Sequence, residues 1–211
     1  MIPKLIGALQ NIIQNDLPGE RAHLALIPER IQASTVFQKG MSYKNSAVSV
    51  LLFEENGIIQ SVLIQRPKYD GAHSDQMAFP GGKVEPEDAS FKVTALREMY
   101  EEIGFEDAHI AHLGNLTRVY IPVSQFMVYP HVFFTTKKVS FSANKREVAS
   151  IVCFPLLDIL NPDIFIKTTI PLQNGLTLKN MAAISIQNKI VWGATLLILN
   201  ELRLCLKKLN L

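Results

Sequence analysis

The stretch from Phe79 to Phe105, FPGGKVEPEDASFKVTALREMYEEIGF, limits what this chain can fold into more than any other part of it. A Pro-Gly-Gly turn is followed, one loop later, by an arginine and three glutamates within six consecutive positions, Arg97 to Glu102. On a helix Glu98, Glu101 and Glu102 stand at i, i+3 and i+4, and their side chains rise from one arc of about 100°. Like charges at this spacing repel by roughly 0.2–0.5 kcal/mol per pair. A cluster built against its own electrostatics points to a bound cation. Carboxylate oxygens without histidine or thiolate partners favour hard ions, Mg²⁺ or Mn²⁺, and Mg²⁺ commonly shares its shell with substrate phosphates. The plainer alternative is a solvated acidic face in which Arg97 and Glu101 form an i,i+4 ion pair. The glycine turn just upstream weighs against it.

The rest of the helix predicts its own surroundings. Ala95, Leu96, Met99, Tyr100 and Ile103 form the core-facing stripe, Asp88 stands at the N-cap, and Gly104 at the C-terminal glycine position.

These residues resemble the Nudix box, the signature of the Nudix hydrolases, written G-x5-E-x7-R-E-U-x-E-E-x-G-U with U aliphatic or aromatic. Gly82, Arg97, Glu98, Met99, Glu101, Glu102, Gly104 and Phe105 match it. Asp88 takes the place of the first glutamate, and one extra residue separates it from Arg97. Both departures are expected of the coenzyme A pyrophosphatase-like branch. That branch also carries R-x6-H-x-G-Q/E-x-x-F-P-G-G just upstream. Here RPKYDGAHSDQMAFPGG puts Arg66, His73, Gln76, Phe79, Pro80, Gly81 and Gly82 in place, with Asp75 where the branch has glycine. Further similarity lies in Tyr120–Phe134, Asn144–Leu156 and Val191–Leu199, and is looser over the first 40 residues.

The resemblance implies an α/β fold, a Nudix-type α/β/α sandwich with a mixed β-sheet. An N-terminal helical extension would occupy residues 1–40 and the hydrolase domain residues 41–211. It also implies a pyrophosphatase in which Gly82 (through its carbonyl), Glu98, Glu101, Glu102 and Glu147 hold Mg²⁺ or Mn²⁺. Glu98 or Glu147 would take the proton of the attacking water, and Arg97 would orient a glutamate through a bidentate contact. Arg66, His73, Gln76, Gly81 and Gly82 would face the substrate. That substrate would be coenzyme A or an acyl derivative, split to 3′,5′-ADP and 4′-phosphopantetheine or its acyl form.

Each of these residues also has a plainer explanation. Glu147 sits beside Lys145 and Arg146 as a loop carboxylate, Arg66 is an arginine at a strand end, and a lone loop histidine such as His73 is ordinarily solvated. Phe126 and Tyr129 have the shape to stack on adenine but read as strand core residues. Two other functions compete. One is a Nudix hydrolase of another nucleoside diphosphate compound, such as ADP-ribose or a dinucleoside polyphosphate. Tyr120, 16 residues past Gly104, and the nearby Pro122 bear on it. The other is a ligand sensor without turnover, which has no need for a self-repelling Glu98–Glu101–Glu102 set.

Bulk properties narrow the partners. A net charge of +2 gives no nucleic-acid stripe. The most apolar run, Ile190–Leu199, is about half the length that spans a bilayer. Cys153 and Cys205 lie in apolar sequence and read as reduced. The first 15 residues, with one lysine and no arginine, make neither a secretory nor a transit peptide. The expectation is a cytoplasmic chain with a small nucleotide substrate, no nucleic acid and no membrane.

Along the chain, Leu5, Leu9, Ile12 and Ile13 predict an amphipathic helix that docks on the body of the protein or on a second subunit. Ser46–Phe53 and Ile58–Gln65 predict a hairpin closed by Asn56-Gly57. Leu113–Tyr120, Val128–Thr135 and Val148–Phe154 read as strands, and Leu156–Leu160 as a helical turn. Thr177–Ile186 fits either a strand pair or an irregular segment. Val191–Lys208 reads as a buried helix, packed on the domain or on a twin chain in a homodimer.

Overall fold

A computed structural model describes residues 2–209 except 72, 173, 174 and 176. Helices α1 (Ile2–Asn15), α2 (Glu20–Leu26) and α3 (Ala33–Gln38) lead into strands β1 (Lys44–Glu55) and β2 (Ile58–Gln65). Asn56 and Gly57 close that hairpin at φ 53° and 80°, the doubly left-handed turn that matches strand twist. Then follow β3 (Met77–Ala78), β4 (Gly81–Lys83), α4 (Phe91–Ile103), β5 (Ala111–Asn115), β6 (Val119–Ile121), β7 (Phe126–Thr135) and β8 (Ser150–Pro155). The expected turn at Leu156–Leu160 is 3₁₀ helix, and β9 (Phe165–Pro171), β10 (Thr177–Ile186), β11 (Lys189–Trp192) and α5 (Gly193–Lys207) complete the chain.

Among the described residues the strands form an eight-stranded and a three-stranded sheet. The larger runs β3-β2-β1-β7-β5, with β4 also on β1, β6 on β7 and β8 on β2. Its centre is a parallel pair, β1 with β7, from Lys44↔Phe126 to Phe53↔Thr135. The other pairings are antiparallel, so the sheet is mixed. The smaller sheet, β11-β10-β9, is antiparallel.

Alternation along β1 decides what lies on each face. Ala47, Leu51 and Phe53 pack with Ala95, Met99 and Ile103 of α4. Val50 and Leu52 pack in the opposite cluster with Leu9 and Ile13 of α1 and Leu196, Leu199 and Leu202 of α5. Helices thus cover both faces, and the α/β/α sandwich is as expected. Buried Glu201 of α5 accepts from the Gly19 N–H (2.9 Å), the Thr117 N–H (2.8 Å) and the Thr117 hydroxyl (2.6 Å). These bonds fasten the start of α2 and the β5–β6 link to the last helix.

Five local expectations need correction. Leu113–Tyr120 is two strands, because Glu201 draws the Thr117 backbone out of the ladder. Thr177–Ile186 is one strand, paired on both sides, with a bulge between Leu178 and Met181 where Asn180 takes φ 58°. The last helix begins at Gly193 because Val191 and Trp192 pair with Ile184 and Ala183. Ser90, not Asp88, is the N-cap of α4, its hydroxyl accepting from the Val93 N–H at 3.3 Å. Tyr100 is 54% exposed and leaves the core stripe, whereas Thr94 is buried.

The α1 stripe is buried at Leu9, Ile12 and Ile13, with Ile6 deeper than Leu5. It and α5 dock on the domain itself. Gly104 ends α4 in the left-handed region, as expected, and both cysteines are free thiols. Among the described residues no helix is long and apolar enough to cross a membrane.

Candidate active site

The glycine turn and α4 are fitted to each other. Gly81 and Gly82 pair with Val48 and Ala47, and the Pro80 carbonyl accepts the Ser49 N–H at 2.8 Å. A Cβ on Gly81 would lie 2.3 Å from the Ala47 carbonyl oxygen, and one on Gly82 would lie 2.3 Å from Oε1 of Glu98. The first glycine lets the turn lie flat on β1. The second leaves room for a carboxylate. Glu102, 3% exposed, accepts the Gly81 N–H at 2.8 Å, so the helix holds the turn with one of its own acidic groups.

Arg97 is the hub of the acidic face. It donates through Nε and Nη2 to both oxygens of Asp88 (3.1 and 2.9 Å) and through Nη1 to Glu98 (3.0 Å) and Glu101 (2.9 Å). Nη2 also reaches the Lys83 carbonyl at 3.1 Å. Its bidentate partner is therefore Asp88 rather than a glutamate. The guanidinium holds the Asp88 carboxyl well below the usual carboxylate range. Asp88 further accepts from the Thr94 hydroxyl and the Glu85 N–H. Its role as an anchor was hidden from the sequence by the cap assignment. The only signal for it was its place in the box.

The three glutamates of α4 differ in exposure. Glu101 is exposed, Glu98 intermediate and Glu102 buried. Burial pushes Glu98 upward and Glu102 up to about 8. Glu147 enters from another element. The Ser142 and Asn144 N–H groups donate to the Ile103 and Glu102 carbonyls (2.8 and 2.9 Å), which ties its loop to the end of α4. Glu147 is itself exposed, and its charge raises both Glu98 and Glu102.

Of the upstream residues, Arg66 lies nearest the acidic group electrically, since its charge opposes the rise of Glu102 and also lowers His73. Among the described residues its Nε is buried without a hydrogen-bond partner. His73 sits 3.3 Å from Gln76 Oε1 through Nδ1 and 2.9 Å from the Ser124 hydroxyl through Nε2. Burial holds it below the ordinary histidine range. Ala72, inside this loop, is outside the described residues. Asp75 occupies φ 58°, a conformation that suits glycine and that aspartate tolerates better than most residues. That accounts for this substitution in the loop pattern. Ser124 gave no sequence signal, because 51 residues separate it from His73.

Other residues named from sequence lie elsewhere. Tyr129 stacks on Phe91 with centroids 3.9 Å apart, and the Lys44 ammonium lies over Phe126. Tyr120 is 3% exposed, packed with Ala33, Val36 and Met127, and presents no free face.

The donor set fits a hard divalent ion. Glu102 is raised by Glu98 and Glu147, and Glu98 by Glu101 and Glu147, so oxygen donors from two elements repel one another around the glycine turn. No three such side chains among the described residues already close into a cage. Backbone, water or substrate oxygens would complete the shell, as Mg²⁺ ordinarily requires.

The chain as a whole is similar to known proteins. Residues 43–170 match the NUDIX domain family. A protein of Yersinia enterocolitica described as an uncharacterized Nudix hydrolase, NudL, is 30% identical over 141 residues, covering 67% of this chain and 71% of that one. A probable nudix hydrolase of Schizosaccharomyces pombe is 31% identical over 144 residues, covering 66% of this chain but only 48% of that longer protein. In fold, the chain is similar to the MutT protein of Methanosarcina mazei, with a TM-score of 0.50, 17% identity, and coverage of 80% and 95% of the two chains. Members of the family generally use divalent metal ions. On the match over residues 43–170 and the identity with these relatives, the chain belongs to the Nudix hydrolases.

Proposed function

We propose that this protein is a Mg²⁺- or Mn²⁺-dependent pyrophosphohydrolase of coenzyme A or acyl-coenzyme A, yielding 3′,5′-ADP and 4′-phosphopantetheine or its acyl form. The observation that carries this is Arg66. It opens the loop whose sequence resembles the coenzyme A branch, and it brings a buried donor, unpaired among the described residues, to the edge of the Glu102 site. A phosphate oxygen is the acceptor such a donor fits.

In this account Glu98, Glu101, Glu102 and Glu147 hold the ion with the Gly82 carbonyl, and Arg97 keeps Glu98 and Glu101 in place through its anchor on Asp88. The ion, when bound, neutralises phosphate charge and makes a bound water more acidic. Arg66 takes charge on the diphosphate, Gly81 and Gly82 leave the backbone open to it, and His73 and Gln76 shape the wall beside it. Glu98 and Glu147 are the two groups suited to accept the water's proton. Water adds at one phosphorus, the bridging P–O bond breaks, and the bridging oxygen leaves with the other phosphate.

A product-resolved assay with Mg²⁺ or Mn²⁺ tests the substrate. Coenzyme A, acetyl-coenzyme A, ADP-ribose, NADH and a diadenosine polyphosphate are compared at equal concentration. The expected result is preferential release of 3′,5′-ADP from coenzyme A. Equal or faster cleavage of ADP-ribose would overturn the coenzyme A assignment and leave the hydrolase assignment standing.

A further inference from the structure

The loop from Arg66 to Gln76 is anchored at both sides. On one side Gln65 Nε2 donates to Asp75 Oδ1 at 2.6 Å, while Gln65 Oε1 accepts from the Ser150 hydroxyl (3.0 Å) and the Lys189 ammonium (2.9 Å). Those contacts tie the loop to β8 and β11. On the other side His73 meets Ser124 in the turn between β6 and β7. The backbone joins the two sides, because the Arg66 N–H donates to the Gln76 carbonyl at 2.9 Å.

The partners of His73 favour one placement of the ring hydrogen. An amide oxygen only accepts, so the contact between Nδ1 and Gln76 Oε1 places the ring hydrogen on Nδ1. In the neutral ring Nε2 is then bare, and the Ser124 hydroxyl donates to it. Burial and the Arg66 charge both favour that neutral ring. Each ring nitrogen is thus engaged by protein, one within the loop and one across to the turn.

We infer that Ser124 is a positioning residue: through His73 it fixes the 66–76 loop, and with it Arg66, against the β6–β7 turn. This rests on the proposal that the loop faces substrate. It assigns His73 a strut's part in substrate binding and gives the proton-transfer step to neither residue.

The test joins a direct readout with a kinetic one. Long-range ¹⁵N NMR of the 211-residue chain near pH 7 should show His73 as the neutral Nδ1–H tautomer. In Ser124→Ala the tautomer should persist, held by Gln76, while the Nε2 signal shifts on losing its hydrogen-bond donor. The KM for coenzyme A should rise about five-fold, the size of one neutral hydrogen bond, with kcat within about two-fold. Ser124→Thr should restore both. In a His73→Gln background, Ser124→Ala should add nothing, because the two side chains act as one unit.

An Nε2–H tautomer in the unaltered protein, an unchanged KM in Ser124→Ala, or a fall in kcat at constant KM would each overturn the inference. If coenzyme A is not cleaved, the tautomer is still read directly and the kinetics use whichever diphosphate is cleaved. The positioning role is then judged apart from the substrate.

Discussion

Glu102→Gln should lower metal-dependent turnover by about two to three orders of magnitude, the size of a lost electrostatic contact at a reacting phosphate. The fold should survive. The new amide oxygen can still accept the Gly81 N–H, and the replacement removes a charge from a site only 3% exposed. A pH signature separates this from a packing defect. The Glu102 carboxyl stands near 8 in the folded chain, against 4.5 for an ordinary glutamate. Between those values the folded state binds more protons than the unfolded one, so stability falls as pH rises. Thermal melts of the metal-free protein from pH 5 to 9 should show that decline, and Glu102→Gln should flatten it. Retained turnover in the variant would remove Glu102 from the metal site.

Gly81→Ala should do the opposite, damaging the fold first. Its Cβ would meet backbone on β1, 2.3 Å from the Ala47 carbonyl oxygen and 2.6 Å from the Val48 Cα, and neither can move without opening the strand pairing. Strain at φ 157° adds to the clash. A loss of about 3 kcal/mol or more is expected in chemical denaturation. Gly82→Ala is the internal comparison. Its Cβ meets the carboxyl end of Glu98, a group that can swing away. Stability should change little while activity collapses. Equal stability of the two variants would show that the turn does not lie on β1 as described.

What the sequence revealed and what it hid divide along the distance over which each feature is determined. The Asn56-Gly57 turn and the Gly104 helix end follow from neighbours a few residues away, and both were legible. So was the acidic arc, a matter of helical spacing. The α4 N-cap was misplaced because two residues competed for one office. Asp88 is the better cap by type, but Arg97, nine positions on, claims its carboxylate, and Ser90 takes the helix end. Leu113–Tyr120 looked continuous because nothing nearby breaks it. The break comes from Glu201, 84 residues away. Ser124 was invisible for the same reason. The charged residues of the acidic face, and Arg97 that orients them, were readable from the sequence. Contacts from distant elements, such as Glu201 to Thr117 and Ser124 to His73, depend on the assembled fold.

The proposed chemistry requires that the carboxylates around the Gly81-Gly82 turn form a divalent metal centre. The most direct measurement is Mn²⁺ uptake by electron paramagnetic resonance near pH 7.5, comparing the unaltered protein with Glu102→Gln and with Glu54→Gln as a remote control. The unaltered protein and the control should deplete free Mn²⁺ alike, and Glu102→Gln should lose most of that binding. Equal uptake by all three proteins would contradict the claim and place the ion, if one is bound, away from this helix.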